Sequence, residues 1–169
     1  MAVHVGVVGS QNPPAELEAI AERVGRELAT AGAVVVTGGL GGVMAAAARG
    51  AAEAGGMTIG ILPGLDRREA NRWIRSAVPT GLGELRNGLV VRSSDVVLAI
   101  GGEYGTLSEI ALALKADIPV VGVATWSLTR PDGGADTGVT VADPEDAVRT
   151  ALALALPDSG WRPRQDDPG

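Results

Sequence analysis

Five short runs along the chain are almost wholly apolar: Val3–Gly9 (VHVGVVG), Ala33–Thr37 (AVVVT), Met57–Leu62 (MTIGIL), Asp95–Ile100 (DVVLAI) and Pro119–Val123 (PVVGV). Runs this short, rich in valine and isoleucine, predict strands buried on both faces of a parallel sheet. Between them the period changes. Leu17, Ile20, Ala21, Val24, Leu28 and Ala31 recur at helical spacing within Pro13–Ala31, with proline at the start and Gly32 at the stop. Val43–Ala54 predicts an alanine-rich helix closed by Gly55 and Gly56, and Thr106–Ala116 another. Pro144–Leu156 predicts a last helix, with Glu145 and Asp146 at its positive end. Leu65–Gly83 is less regular, with room for a short helix near Arg67–Trp73 and an extended piece near Ala77–Thr80. Glu84–Ser93 reads as helical and Gly138–Ala142 as a weaker strand. Strands alternating with helices predict an α/β fold. The expectation is a three-layer Rossmann-like domain with a central parallel sheet and helices on both faces. One domain over residues 1–156 is expected, and the prolines and charges of 157–169 predict a mobile C-terminal tail.

Composition narrows the chemistry. The chain has 169 residues, of which 25 are glycine. That is about twice the usual share of roughly 7%. No Gly-X-Y period exists, so the glycines are not collagenous. Cysteine is absent and His4 is the sole histidine. Disulfides, a thiol nucleophile and a thiolate metal site are therefore excluded, and a zinc cage or a Ser-His-Asp triad lacks its parts. His4, on the first strand, reads as a packed residue rather than a general base. The net charge of −6 disfavours nucleic acid as a partner. No apolar run reaches the ~18 residues of a membrane span. The first ten residues carry no basic leader pattern, so the cytoplasm is the expected compartment.

Two glycine loops sit where such sheets bind ligands, beyond the carboxyl ends of strands. In Gly101–Glu109 (GGEYGTLSE), Gly101, Gly102 and Gly105 let the backbone approach a ligand, and the following helix start offers free N–H groups to a phosphate. Glu103, Tyr104 and Thr106 lie within the same turn. Thr106 and Glu109 also fit a capping box, the structural reading of that carboxylate. The loop Thr37–Met44 (TGGLGGVM) repeats the logic with Gly38, Gly39, Gly41, Gly42 and Met44. It matches neither G-x-G-x-x-G nor the Walker pattern, and Lys115 lies in no glycine loop, which rejects a P-loop nucleotidase. Gly9, Ser10 and Gln11 follow the first strand at the same edge.

Asp66–Arg92 contains six arginines against Asp66, Glu69 and Glu84, a net +3 within an acidic chain. Guanidinium groups bind phosphate in a fork, so Arg86, next to Asn87 and preceded by TGLGEL, is a candidate phosphate ligand. For the other arginines a solvated surface role is the better reading. Trp126, just past a strand end, can stack on a planar ring or simply cover the core. No metal-ligand cluster is evident.

Thr37–Gly64, with GGLGGVM and EAGGMTIGILPG, resembles the first half of the LOG family, the lysine decarboxylase-like proteins. Many of these are cytokinin riboside 5′-monophosphate phosphoribohydrolases. Arg86 followed by GGEYGTLSE resembles that family's arginine and its P-G-G-x-G-T-x-x-E signature, over roughly residues 3–123. The leading proline is Ile100 here, and the arginine sits in GLGELRN rather than M-x-x-R-K. TGLGELRN and SSDVVLAIGGEYGTLSEIALAL look closer to a sister clade that includes the molybdenum cofactor carrier proteins. The resemblance implies a Rossmann-like sheet, a homodimer or a tetramer built from dimers, and a phosphate-bearing ligand. The candidates for that ligand are molybdenum cofactor and a nucleoside monophosphate. A carrier with no required cofactor is the leading expectation. The alternative is a phosphoribohydrolase using Glu109 and Arg86, with the glycine loops on the phosphate. Lysine decarboxylation finds no support, because nothing marks a pyridoxal-phosphate lysine. The resemblance also implies a ligand lying over the glycine loops, with Arg86 and Glu109 at its rim.

Overall fold

The computed structural model describes residues 1–136 and 138–156. The chain runs β1 (His4–Gly9), α1 (Ala15–Thr30), β2 (Val34–Thr37), α2 (Val43–Glu53) and β3 (Thr58–Leu62). A single 3-10 turn (Arg67–Glu69) leads to β4 (Ser76–Pro79), and a second (Gly83–Arg86) leads to α3 (Asn87–Arg92). There follow β5 (Val96–Ile100), α4 (Tyr104–Lys115), β6 (Val120–Val123), β7 (Val139–Val141) and α5 (Ala147–Ala155). The strands form one seven-stranded sheet in the order β4-β3-β2-β1-β5-β6-β7. Every pairing is parallel. The order reverses direction between β1 and β5, which is where open α/β sheets leave a crevice.

Alternate residues of the same apolar strands feed two cores. Val5, Val7, Val35, Leu98, Ile100 and Val121 pack beneath α1, α2 and α5. Val8, Val36, Val97, Ala99 and Val120 pack beneath α3 and α4. This is the three-layer Rossmann-like fold expected from the alternation. With no phenylalanine, the helices touch through small residues. A β-carbon on Gly25 of α1 or Gly50 of α2 would run into the backbone carbonyl of Ala47 or of Glu22, respectively.

Three local expectations need correction. The helix expected over Arg67–Trp73 is only the 3-10 turn, because the Asp66 side chain accepts from Arg68 N at 2.9 Å and closes a short turn. Asn71 then pins the chain elsewhere. The helix expected from Thr106 begins two residues earlier, at Tyr104. Glu84–Ser93 divides into the 3-10 turn and α3. The tail expected over 157–169 lies outside the described residues.

Candidate functional site

The loops after β1, β2 and β5 converge at one end of the sheet and border a cleft of about 410 Å³. Its walls are Gly9, Ser10 and Gln11 at the end of β1, Leu40 and Met44 around the start of α2, and Glu103, Gly105, Thr106 and Glu109 around the first turns of α4. Pro63, Gly83, Glu84, Arg86 and Asn87 complete it.

Arg86 and Glu109 form the buried part of this wall, each only 6% exposed. Glu109 reaches this position through helix periodicity: Thr106, Glu109, Ile110 and Ala113 share the inward face of α4. The capping box is thereby excluded. Glu103 occupies the N-cap, and Leu107 N donates to the Glu103 carbonyl at 3.0 Å, so Glu109 lies six residues into the helix. Arg86 Nη1 stands 3.8 Å from Glu109 Oε1 and also donates to Asn87 Oδ1. Arg86 Nη2 donates to the Gly38 carbonyl at 3.4 Å. The Arg86 Nε finds no hydrogen-bond partner among the described residues. Burial pushes the Glu109 carboxyl up to about 7, with Arg86 pulling the other way. Burial likewise lowers the pKa of Arg86, opposed by Glu109 and Glu84. An ion pair this dry gains little over its desolvation cost and points to a site rather than to stability.

The N-terminus of α4 opens onto the same cleft. Glu103 makes no side-chain bond to the helix amides, which leaves first-turn N–H groups without a side-chain cap. A β-carbon on Gly105 would meet nothing within 4 Å, so this glycine answers no packing need and keeps the approach open. Ser10 Oγ donates to Glu103 Oε1 at 2.6 Å and accepts from Asn12 N at 3.0 Å, linking the first loop to the third. Trp126 Nε1 donates to the Glu103 carbonyl at 3.3 Å, and its ring lies 5.7 Å from that of Tyr104.

Of the residues picked out in the sequence, Gly9, Ser10, Met44, Arg86, Asn87, Glu103, Gly105, Thr106 and Glu109 line the cleft. Arg86 and Glu109 lie in its buried wall rather than at its rim. Gly38 stands behind Arg86, where a β-carbon would come within 2.5 Å of Nη2. Gly42, at φ +61°, turns the second loop against the first, and Val43 N donates to the Ser10 carbonyl at 3.0 Å. Gly39, Gly41, Gly101, Gly102, Tyr104 and Trp126 belong to the surrounding loops and do not line the cleft. His4 sits at the opposite end of β1, its Nδ1 3.2 Å from the Ser93 carbonyl. Pro63, Gly83 and Glu84 were not anticipated. Their nearness follows from how β3 and the turn before α3 fold back, which no local motif encodes. Asn71 was also missed; its side chain donates to the Leu40 carbonyl at 2.8 Å and holds the second loop. Among the described residues no cluster of His, Cys, Asp or Glu is arranged to hold a metal. Among them, too, no helix is long and apolar enough to cross a membrane.

The molybdenum cofactor binding protein of the phototrophic bacterium Rippkaea orientalis superposes with a TM-score of 0.79 at 34% identity, over 92% of this chain and 99% of that one. The molybdenum cofactor carrier protein of Chlamydomonas reinhardtii gives 0.77 at 36% identity, over 91% of this chain and 98% of that one. An uncharacterised protein of Archaeoglobus fulgidus is 43% identical over 113 residues, which span 67% of this chain and 74% of the relative. With the profile of the SLOG cluster4 family matching residues 2–148, the chain belongs to that family.

Proposed function

We propose that this protein binds and carries a phosphate-bearing heterocyclic ligand, with molybdenum cofactor as the first candidate. The observation that carries the reading is Arg86, a cation buried in the cleft wall with an unpartnered Nε, close to the open N-terminus of α4. A cation held in the wall of a cleft calls for an explanation, and an anion bound against its guanidinium supplies one. Helix amides and guanidinium together suit a phosphate. The cleft volume of about 410 Å³ lies within the range of small-molecule sites. With no cysteine in the chain, the grip falls on the phosphate end and on the ring rather than on a metal. Ser10 and Thr106 offer hydroxyls to the cleft, and Trp126 is tied to the Glu103 carbonyl beside it. The likeness to cofactor carriers across nearly their whole length supports the same reading. Titration calorimetry with molybdenum cofactor and with nucleoside monophosphates tests it, alongside mass spectrometry of whatever co-purifies. Binding that weakens at least about tenfold in Arg86→Ala is the expected result. Absence of binding to every one of these ligands overturns the proposal.

Glu109 favours one second reading, a nucleoside 5′-monophosphate phosphoribohydrolase. A carboxyl held near neutrality can exchange a proton with ribose or water, and once ionised it stabilises an oxocarbenium-like centre. Incubation with AMP decides this. Release of free base and ribose 5-phosphate by wild type but not by Glu109→Ala supports it; no release by either rejects it.

We also propose that the chain self-associates through the outer faces of α3 and α4 and the 3-10 turn that precedes α3, where Leu89, Leu112 and Leu85 respectively are exposed.

A further inference from the structure

The crossover between β3 and β4 carries Arg67, Arg68, Arg72 and Arg75, all four exposed. With Ser76 and Ala77 of β4 they border one open concavity of about 410 Å³, separate from the cleft. Arg68 is held by Asp66 at 2.6 Å. Arg72 lies over the Trp73 ring, 4.5 Å from its centroid. Among the described residues Arg67, Arg72 and Arg75 have no carboxylate within ion-pair distance. Asp66, which pairs with Arg68 and whose pKa is also drawn down by Arg67, and Glu69 offset only part of the charge of the four arginines, although the chain as a whole carries −6.

Among the described residues β4 is an end strand that pairs only with β3. A free strand edge accepts another extended chain through main-chain hydrogen bonds. Arginines beside such an edge repel basic strands and so select what can pair there. The crossover is also tied to the cleft. Asn71 N donates to the Gly39 carbonyl at 2.9 Å, and the Asn71 side chain donates to the Leu40 carbonyl at 2.8 Å. Leu40 lines the cleft, so the surface and the cleft share one loop.

We infer that this arginine-bordered edge is a docking surface for an acidic, extended segment of a partner protein. The segment pairs with β4 while its carboxylates meet Arg67, Arg72 and Arg75. A nucleic acid fits less well. A long polyanion must also pass the acidic remainder of the molecule, whereas a short acidic segment touches only the concavity. The inference does not depend on what the cleft holds.

Fluorescence anisotropy tests it with the intact protein and three labelled probes. These are a dodecapeptide alternating glutamate and valine, its lysine–valine counterpart, and an oligothymidylate of equal length. The acidic peptide is expected to bind at low salt and to weaken about tenfold or more at high salt. The lysine peptide is expected not to bind. Arg72→Glu combined with Arg75→Glu is expected to weaken acidic-peptide binding by at least about tenfold. Because Arg72 packs on Trp73, Arg67→Glu with Arg75→Glu serves as a second variant that leaves that contact in place. No acidic-peptide binding at low salt, equal binding by both double variants, or tighter binding of the oligothymidylate overturns the inference.

Discussion

Glu109 shows how little a residue's type says about its role until its neighbours are known. The spacing Thr106–Glu109 fits a capping box as well as a functional carboxylate, and only the start of α4 at Tyr104 separates the two. That start depends on Gly102, at φ +141°, and on extended backbone at Glu103, neither of which a three-residue spacing encodes. Arg86 was legible as a candidate because glycines precede it, yet its burial depends on Gly38 clearing the space. The pair makes a pH prediction. Unfolded, the Glu109 carboxyl titrates near 4.5; folded, it titrates near 7. Folding therefore favours its protonated form. That contribution is complete below the unfolded value, declines as pH rises towards 7, and is spent above it. At about 1.4 kcal/mol per unit, the loss approaches about 3 kcal/mol across the window. Glu109→Gln has no such titration. Denaturant unfolding of both proteins across this range is expected to show the variant gaining on wild type with rising pH, then a plateau. A difference that stays constant throughout would falsify the raised carboxyl.

At the scale of elements, the strands and long helices were readable because their burial is written into composition. Ala33–Thr37 and Asp95–Ile100 have apolar neighbours on both faces and no competing polar period, so β2 and β5 appear where expected. Arg67–Trp73 was misread because its fate is set by Asp66 and by Asn71 reaching a loop thirty residues away in the chain, not by local propensity. The glycines serve more than one purpose. Some border the cleft, such as Gly9 and Gly105, and others stop helices, such as Gly32 and Gly55. Gly25 and Gly50 have a third purpose, letting α1 and α2 approach until backbone nearly meets backbone. An inserted methyl there meets a carbonyl rather than a flexible side chain, so the helices must separate. Gly50→Ala is expected to cost about 3 kcal/mol despite alanine's better helix propensity. For a chain of this size that lowers the melting temperature by roughly 6–12 °C. Thermal unfolding followed by circular dichroism measures it. A melting temperature equal to or above wild type would mean that the two helices do not bear on each other at this point.

At the scale of the whole molecule, the two faces of the sheet are finished differently. One face is covered by α1, α2 and α5. The other carries α3 and α4, whose inner sides bury Val90, Val91, Ile110 and Ala113. Asn87 Nδ2 donates to Ser108 Oγ at 3.4 Å across the two helices, so their outer faces lie side by side. Those outer faces present Leu89 at 41% and Leu112 at 40% exposure, with Leu85 of the preceding 3-10 turn at 81% and Gly88 and Ala111 also near the surface. Leucines on adjoining helices, interspersed with small residues, suit a self-complementary contact about a two-fold axis, in which each leucine set meets its own copy. Light scattering after size-exclusion chromatography is expected to give a multiple of the monomer mass for wild type. Leu89→Glu with Leu112→Glu is expected to give the monomer, with an unchanged circular dichroism spectrum. Arg86, at the N-cap of α3, and Glu109 of α4 are buried on the inner side of the same layer, so loss of the contact is also expected to loosen the cleft wall and weaken its ligand. Wild type eluting as a monomer, or the double variant keeping the wild-type mass, removes this face as the interface. If mass falls while ligand affinity holds, the interface stands and its coupling to the cleft does not.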